Sequence, residues 1–358
     1  MKRAFNFNAG PAALPLEVLQ EAQAELLDFQ GTGMSVMELS HRSKDYDAVH
    51  NKAKELLTKL LNIPDNYEIL FLQGGASLQF AMVPMNLLAP GKVANVILTG
   101  VWSEKALDEI EKLGEAKIGG SSKDAAYKYI PTELEIDPSD AYVHLTSNNT
   151  IYGTQWREFP DTKDVPLVVD MSSDILSRPL DVSKFGIIYA GAQKNLGPSG
   201  VTVVIIRKDL LDSADDNLPT MLKYTTHVKS NSLYNTPPTF GIYLLSLVLE
   251  WVDRLGGVEA VNKINESKAK LIYDAIDESD GYYVGHAEKD ARSLMNVTFN
   301  LASEELEKKF IKEALAAGFV GIAGHRSIGG CRASIYNAVP VEACEALRDF
   351  MLEFKKNN

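Results

Sequence analysis

Cysteine is scarce: Cys331 and Cys344 are the only two in 358 residues. Two thiols cannot build a disulfide framework, and neither stands at metal-ligand spacing. The expectation is a reducing, cytoplasmic setting and no metal. An excess of positive charge is also absent. Lys and Arg number 36 against 48 Asp and Glu, a net charge of -12. Such a balance argues against a nucleic-acid partner but leaves room for a local basic pocket. Long apolar runs are missing as well. The first eight residues lack the apolar core of a signal peptide. The most apolar helix-like stretch, 240–252, is too short to span a bilayer and carries Glu250. There is no internal repeat, no low-complexity tract and no obvious linker. A Gly-x-Ser-x-Gly elbow and a full phosphate loop ending in Gly-Lys-Ser/Thr are both lacking.

What is present is an ordinary globular composition, 45% hydrophobic and 23% charged, in a chain comfortable for two domains. One stretch stands out. An apolar run from Gly186 to Ala190 opens into Gly191, Gly197 and Gly200 around a single charge, Lys194, and apolar Val201 to Ile206 follows. This pattern reads as strand, Gly-rich loop, strand. A lysine there either points at water or is put to covalent use, since a desolvated amine has a lowered pKa and condenses with an aldehyde.

The surrounding pattern favours a site. Helices are expected over 16–29 and 46–61. A short strand at 68–72 ends in Gln73-Gly-Gly-Ala-Ser77 and turns into a helix near Leu78. That geometry offers backbone N–H groups to a phosphate, although two glycines also make a plain turn. Strands at 93–98, 141–145 and 167–169 lead into Trp102, Thr150 and Asp170. Strands alternating with helices imply a mainly parallel sheet with helices on its faces. Ligands of such sheets bind beyond the carboxyl ends of the strands, where Gly75, Trp102, Thr150, Asp170 and Lys194 all fall. The segment 224–232 reads as polar and irregular, and long helices are expected at 240–255 and 259–276. From about residue 279, alternating strands and helices suggest a small α+β unit. Its loop carries His325, Arg326 and Arg332.

An aldehyde cofactor such as pyridoxal phosphate needs four things here. Gly75 to Ser77 can give backbone donors to its phosphate. Asp170 can hold its ring nitrogen protonated, and Trp102 can stack on the ring. Thr150 or Asn149 can donate to its phenolic oxygen. Each residue also has a structural alternative: a turn cap for Asp170, core packing for Trp102, a turn for Thr150. Arg42, Arg326 and Arg332, with His41 and His325, suit a substrate bearing a carboxylate and a phosphate, unless they form structural ion pairs.

The chain resembles the phosphoserine aminotransferases, pyridoxal-phosphate enzymes of fold type I. The resemblance rests on Phe7-Asn-Ala-Gly-Pro11, Ser40-His-Arg-Ser43, Gln73-Gly-Gly-Ala-Ser77, Val169-Asp-Met-Ser-Ser173 and Tyr189-Ala-Gly-Ala-Gln-Lys-Asn-Leu-Gly-Pro198. It extends through Asn235-Thr-Pro-Pro238, Gly324-His-Arg326 and Arg332-Ala-Ser-Ile-Tyr-Asn337. It implies an α/β fold: a large cofactor-binding domain over 16–260, and a small domain over 261–358 joined by the arm 1–15. It further implies a homodimer with shared active sites and pyridoxal 5'-phosphate on Lys194. Ala76, Ser77 and Gln193 would hold the cofactor phosphate, with Asn235 and Thr236 of the second subunit. Trp102 would stack, Thr150 would meet the phenolic oxygen, and Asp170 the ring nitrogen. Arg42 and Arg332 would bind the substrate α-carboxylate, and His41, His325 and Arg326 its phosphate. Some members carry Arg where Ser77 stands, so an extra phosphate contact is not carried over.

The implied reaction moves the amino group of L-glutamate to 3-phosphohydroxypyruvate, giving O-phospho-L-serine and 2-oxoglutarate in serine biosynthesis, with Lys194 moving the proton. A related acceptor in pyridoxine biosynthesis is 3-hydroxy-2-oxo-4-phosphooxybutanoate. Rival readings are an alanine–glyoxylate aminotransferase, a cysteine desulfurase using Cys331, and an acidic binding scaffold without cofactor.

Overall fold

A computed structural model describes residues 3–213 and 217–358. Seven β-branched and apolar segments form one sheet: β1 (Tyr67–Leu72), β2 (Val93–Leu98), β3 (Glu115–Ser121), β4 (Tyr142–Thr146), β5 (Leu167–Asp170), β6 (Ile187–Gly191) and β7 (Thr202–Arg207). Their spatial order is β1-β7-β6-β5-β4-β2-β3. β7 runs antiparallel to both of its neighbours, and every other pairing is parallel. β1 therefore points the same way as β2 to β6, and the sheet is mainly parallel, as expected.

Both faces are covered, which is why the strands read as continuous apolar runs rather than alternating ones. Successive residues still face opposite ways. Ile69, Phe71, Val143, Leu145, Ile188 and Ala190 pack on one face of the sheet, while Leu70, Leu72, Tyr142, Val168, Ile187 and Tyr189 pack on the other. Helices α2 (Lys44–Leu61) and α6 (Thr239–Arg254) cover the first face. Helices α3 (Gly75–Leu87), α4 (Val101–Glu111) and α5 (Tyr224–Lys229) cover the second.

A second core gathers around an antiparallel sheet of β8 (Tyr283–Gly285), β9 (Asn296–Leu301) and β10 (Cys331–Ser334). Helices α8 (Glu304–Ala316) and α9 (Val341–Asn357) pack on it. The connecting helix α7 (Gly257–Asp277) serves both cores: Val258 and Val261 enter the first, and Ala269, Ile272 and Ile276 enter the second. The amino-terminal arm belongs with the second core. Phe5–Asn6 pairs in parallel with Phe319–Val320, and Phe7 is fully buried there.

Three local expectations are corrected. The first helix, α1, covers Leu16–Ala24 rather than 16–29; beyond it Leu27 is 85% exposed, with no core to hold another turn. The polar stretch after Tyr224 forms α5, because Tyr224 and His227 find buried positions under β1. The edge strand β3 went unread because its two glycines, Gly119 and Gly120, mask the β pattern.

Candidate active site

The sheet register brings the expected site residues to one edge. Thr202 pairs with both Leu72 and Gly191, so β1 and β6 end in the same row, two strand spacings or roughly 10 Å apart. Asp170 pairs with Tyr189 on one side and Thr146 on the other. The chain leaves this edge as Gln73-Gly-Gly at β1, Thr99-Gly-Val-Trp at β2 and Ala192-Gln-Lys at β6.

Lys194 is half-buried there, and its Nζ donates a 2.8 Å hydrogen bond to Thr150 Oγ1. The same Nζ lies 5.8 Å from the centroid of the Trp102 ring. Burial pushes the amine down to about 8. The Asp170 and Asp174 carboxylates pull it back up, while Arg332 adds to the depression. The amino-terminal arm closes one side. A side chain at Gly10 would come within 3.5 Å of Lys194 Cγ, and the Gly10 φ of +154° favours glycine. Ala12 N donates to Gln193 O at 2.9 Å, which ties the arm to this loop.

Asp170 is 5% exposed, and its Oδ1 accepts from Ser172 N at 2.9 Å. Burial raises its pKa, against the hydrogen bonds from the Ser172 side chain and backbone and the Lys194 charge. A buried carboxylate calls for a proton or a cation to complete it.

The α3 start has the glycines a close backbone approach requires. Gly74 and Gly75 take φ of +88° and +64°, a region costly for other residues, and Ala76 and Ser77 follow in the first turn. Gln193 folds back over Gly191, where a Cβ would lie 2.7 Å from its Oε1. Trp102 Nε1 and Arg332 Nε are buried donors without partners among the described residues. A lysine of lowered pKa, a buried carboxylate, a ring beside the lysine and a glycine-built helix start together fit an aldehyde cofactor carrying a phosphate and a basic ring nitrogen.

The second core supplies the cations. Arg332, on β10, donates from Nη1 to Thr150 O at 3.2 Å. His325 Nδ1 is bonded to Ser327 Oγ at 2.7 Å. Burial and the charges of Arg332, Arg326 and Lys105 hold its imidazole below the usual range. Arg326 is exposed. His41, Arg42, Asn235 and Thr236 are half-buried or exposed, and among the described residues no hydrogen bond or ion pair joins them to the Lys194 group.

Several contributors went unread. Asp174 is a second buried carboxylate, bonded to Ser147 Oγ, to Gln155 Nε2 at 3.0 Å and near Arg178. Asn195 Oδ1 accepts from Asn337 N at 3.0 Å, linking the lysine loop to the second core. Tyr336 donates to Ala9 O at 2.7 Å. All lie within or beside the quoted motifs, so their position was visible though their partners were not. Cys331 is 2% exposed and burial raises its thiol pKa, which leaves no mobile nucleophile there.

The comparisons with known proteins agree with this geometry. The aminotransferase class-V family profile matches residues 4–347. The phosphoserine aminotransferase of Geobacillus kaustophilus (strain HTA426) is 68% identical, with 99% of each chain covered. The chain belongs to the phosphoserine aminotransferases. A solved member of that family, from Bacillus circulans subsp. alkalophilus, superposes with a TM-score of 0.99 at 59% identity, covering 100% of this chain and 99% of that one. Another, a phosphoserine aminotransferase studied for radiation damage of its Schiff base, gives 0.98 at 64% identity, with both chains fully covered. Phosphoserine aminotransferases thus share the whole fold of this chain, including the expected fold type I architecture.

Proposed function

We propose that this chain transfers the amino group of L-glutamate to 3-phosphohydroxypyruvate, forming O-phospho-L-serine and 2-oxoglutarate in serine biosynthesis. The observation that carries the reading is Lys194. Its amine has a lowered pKa beside Trp102, and its carboxylate partners and its cations arrive from two different cores. The Schiff base named for a relative at 64% identity supports a covalent cofactor at this lysine.

Pyridoxal 5'-phosphate, when bound, supplies a ring that stores the electron pair left on the substrate carbon. Lys194 would hold it, with Trp102 against its ring and Asp170 at its ring nitrogen. Thr150 would meet its phenolic oxygen, and Ala76, Ser77 and Gln193 its phosphate. Buried Asp170 would keep a proton on that ring nitrogen at neutral pH. Arg332 grips the substrate carboxylate with a planar fork, and its bond to Thr150 fixes that fork relative to Lys194. Lys194 Nζ takes the proton from the substrate α-carbon and returns it during the reverse half of the cycle. His325 and Arg326 receive the phosphate.

His41, Arg42, Asn235 and Thr236 act, on this reading, across a homodimer interface, Asn235 and Thr236 at the cofactor phosphate. Exposed Met34, Met37 and Tyr234 near these residues in sequence support burial by a second subunit. We also divide the chain into a cofactor domain over 16–260 and a small domain over 261–358 with the arm 1–15; the two hydrophobic cores support this. Among the described residues no helix is long and apolar enough to cross a membrane, and the two free, buried cysteines suit a cytoplasmic setting. 3-Hydroxy-2-oxo-4-phosphooxybutanoate carries the same pair of anions and is a second acceptor to assay, linked to pyridoxine biosynthesis.

The test is acceptor choice. With glutamate as donor, 3-phosphohydroxypyruvate is expected to give 2-oxoglutarate at a kcat/KM far above that of glyoxylate. Equal or better use of glyoxylate would move the assignment to another aminotransferase.

A further inference from the structure

Lys105 is an exposed cation on α4. It stands one turn from the positive end of α4, a position that favours carboxylates over cations. Two of the carboxylates around it are engaged elsewhere. Glu104 accepts from Lys123 at 2.7 Å and from Tyr127 at 2.6 Å, and Glu109 accepts from Lys112 at 2.6 Å. Lys105 forms no ion pair among the described residues.

Its amine reaches back along the helix instead, to 4.7 Å from the Trp102 ring centroid. That is the ring which Lys194 Nζ approaches at 5.8 Å. Its charge also reaches the second core, where it acts on His325 together with Arg326 and Arg332. Lys105 thus adds to the cationic rim from the large sheet, while the other three come from the loop 324–332.

We propose that Lys105 is a specificity residue for the doubly charged phosphate of the substrate, drawing it to the rim beside Trp102. The inference rests on the transaminase reading above. Lys105 adds a positive side chain beyond Lys194 on this side of the site. A phosphate monoester carries close to two charges at neutral pH, so one facing cation counts for more than it would toward a carboxylate. Exposure keeps the effect moderate and salt-sensitive.

The test compares Lys105→Gln and Lys105→Arg holoenzymes with the wild type. The KM for 3-phosphohydroxypyruvate is measured across ionic strength, and binding of inorganic phosphate by calorimetry. Lys105→Gln is expected to raise KM about three- to tenfold at low salt with kcat within about twofold. It should weaken phosphate binding by a similar factor and flatten the salt dependence. Lys105→Arg should restore all three. Unchanged phosphate affinity and salt dependence in Lys105→Gln would overturn the proposal, as would equal losses in both variants, which would mean packing on Trp102 rather than charge. A wild type that does not use 3-phosphohydroxypyruvate at all would instead sink the transaminase reading, and the phosphate titration would still decide for or against Lys105.

Discussion

Lys194 Nζ and Thr150 Oγ1 lie 2.8 Å apart although 44 positions separate them in the chain. Arg332 also bonds to the Thr150 backbone, so one residue joins the Lys194 amine to the Arg332 guanidinium. The amine is thereby oriented by the large sheet and the arginine by the second core, and Thr150 is the point where the two are referenced to each other.

The first prediction concerns that amine. Its pKa falls from the usual 10.5 to about 8 because burial disfavours the ammonium. In cofactor-free protein the neutral form therefore accumulates at lower pH than in an ordinary lysine. The rate of labelling of Lys194 by an amine-reactive reagent, followed by peptide mapping, should rise through about pH 8 and level off above it. A rate still climbing at pH 10 would mean an unperturbed lysine.

Asp170→Asn removes the buried charge but keeps the shape and the Ser172 bond. Turnover should fall on the order of a hundredfold or more, because a preorganised charge in a buried site is lost. The melting temperature should stay within a few degrees. Near-normal turnover would remove the proposed role at the ring nitrogen.

Arg332→Lys keeps the charge and loses the fork. It also forfeits the bond from Nη1 to Thr150 O. The KM for glutamate should rise roughly ten- to hundredfold, as expected for a lost charged hydrogen bond. A KM within twofold of wild type would place the carboxylate elsewhere.

Lys268 is a stability prediction away from the chemistry. It is fully buried in α7, and its Nζ donates to the carbonyls of Ile335, Tyr336 and Val339 at 3.0, 2.7 and 3.0 Å. Three acceptors for three protons favour the charged amine even though burial opposes it. Lys268→Met would take the amine from all three carbonyls, leaving Tyr336 O its bond from Val339 N at 2.9 Å, and should cost about 3 kcal/mol in denaturant unfolding, with an unchanged slope. A loss below about 0.5 kcal/mol would mean that water replaces the amine.

Much of this was legible in the sequence, and the limits have physical causes. The strands were readable because both faces of a mainly parallel sheet are buried, leaving apolar runs bounded by glycine. Lys194, Asp170, Trp102 and Thr150 could be grouped because strand ends share an edge. Asp174 escaped notice because its partners come from tertiary placement: Ser147 and Gln155 across the sheet edge. The short α1 and the helix α5 were misread because local pattern alone does not reveal which leucine or tyrosine finds a core. For His41, Arg42, Asn235 and Thr236, no hydrogen bond or ion pair among the described residues reaches Lys194, so the roles proposed for them would require a second copy.

The central claim is that Lys194 carries a cofactor that passes an amino group from glutamate to a phosphorylated keto acid. The direct measurement is the visible absorption spectrum of the purified protein. The account predicts a cofactor band that shifts toward the pyridoxamine form when glutamate is added and returns when 3-phosphohydroxypyruvate follows. A band indifferent to glutamate, or no band after incubation with pyridoxal phosphate, would contradict it.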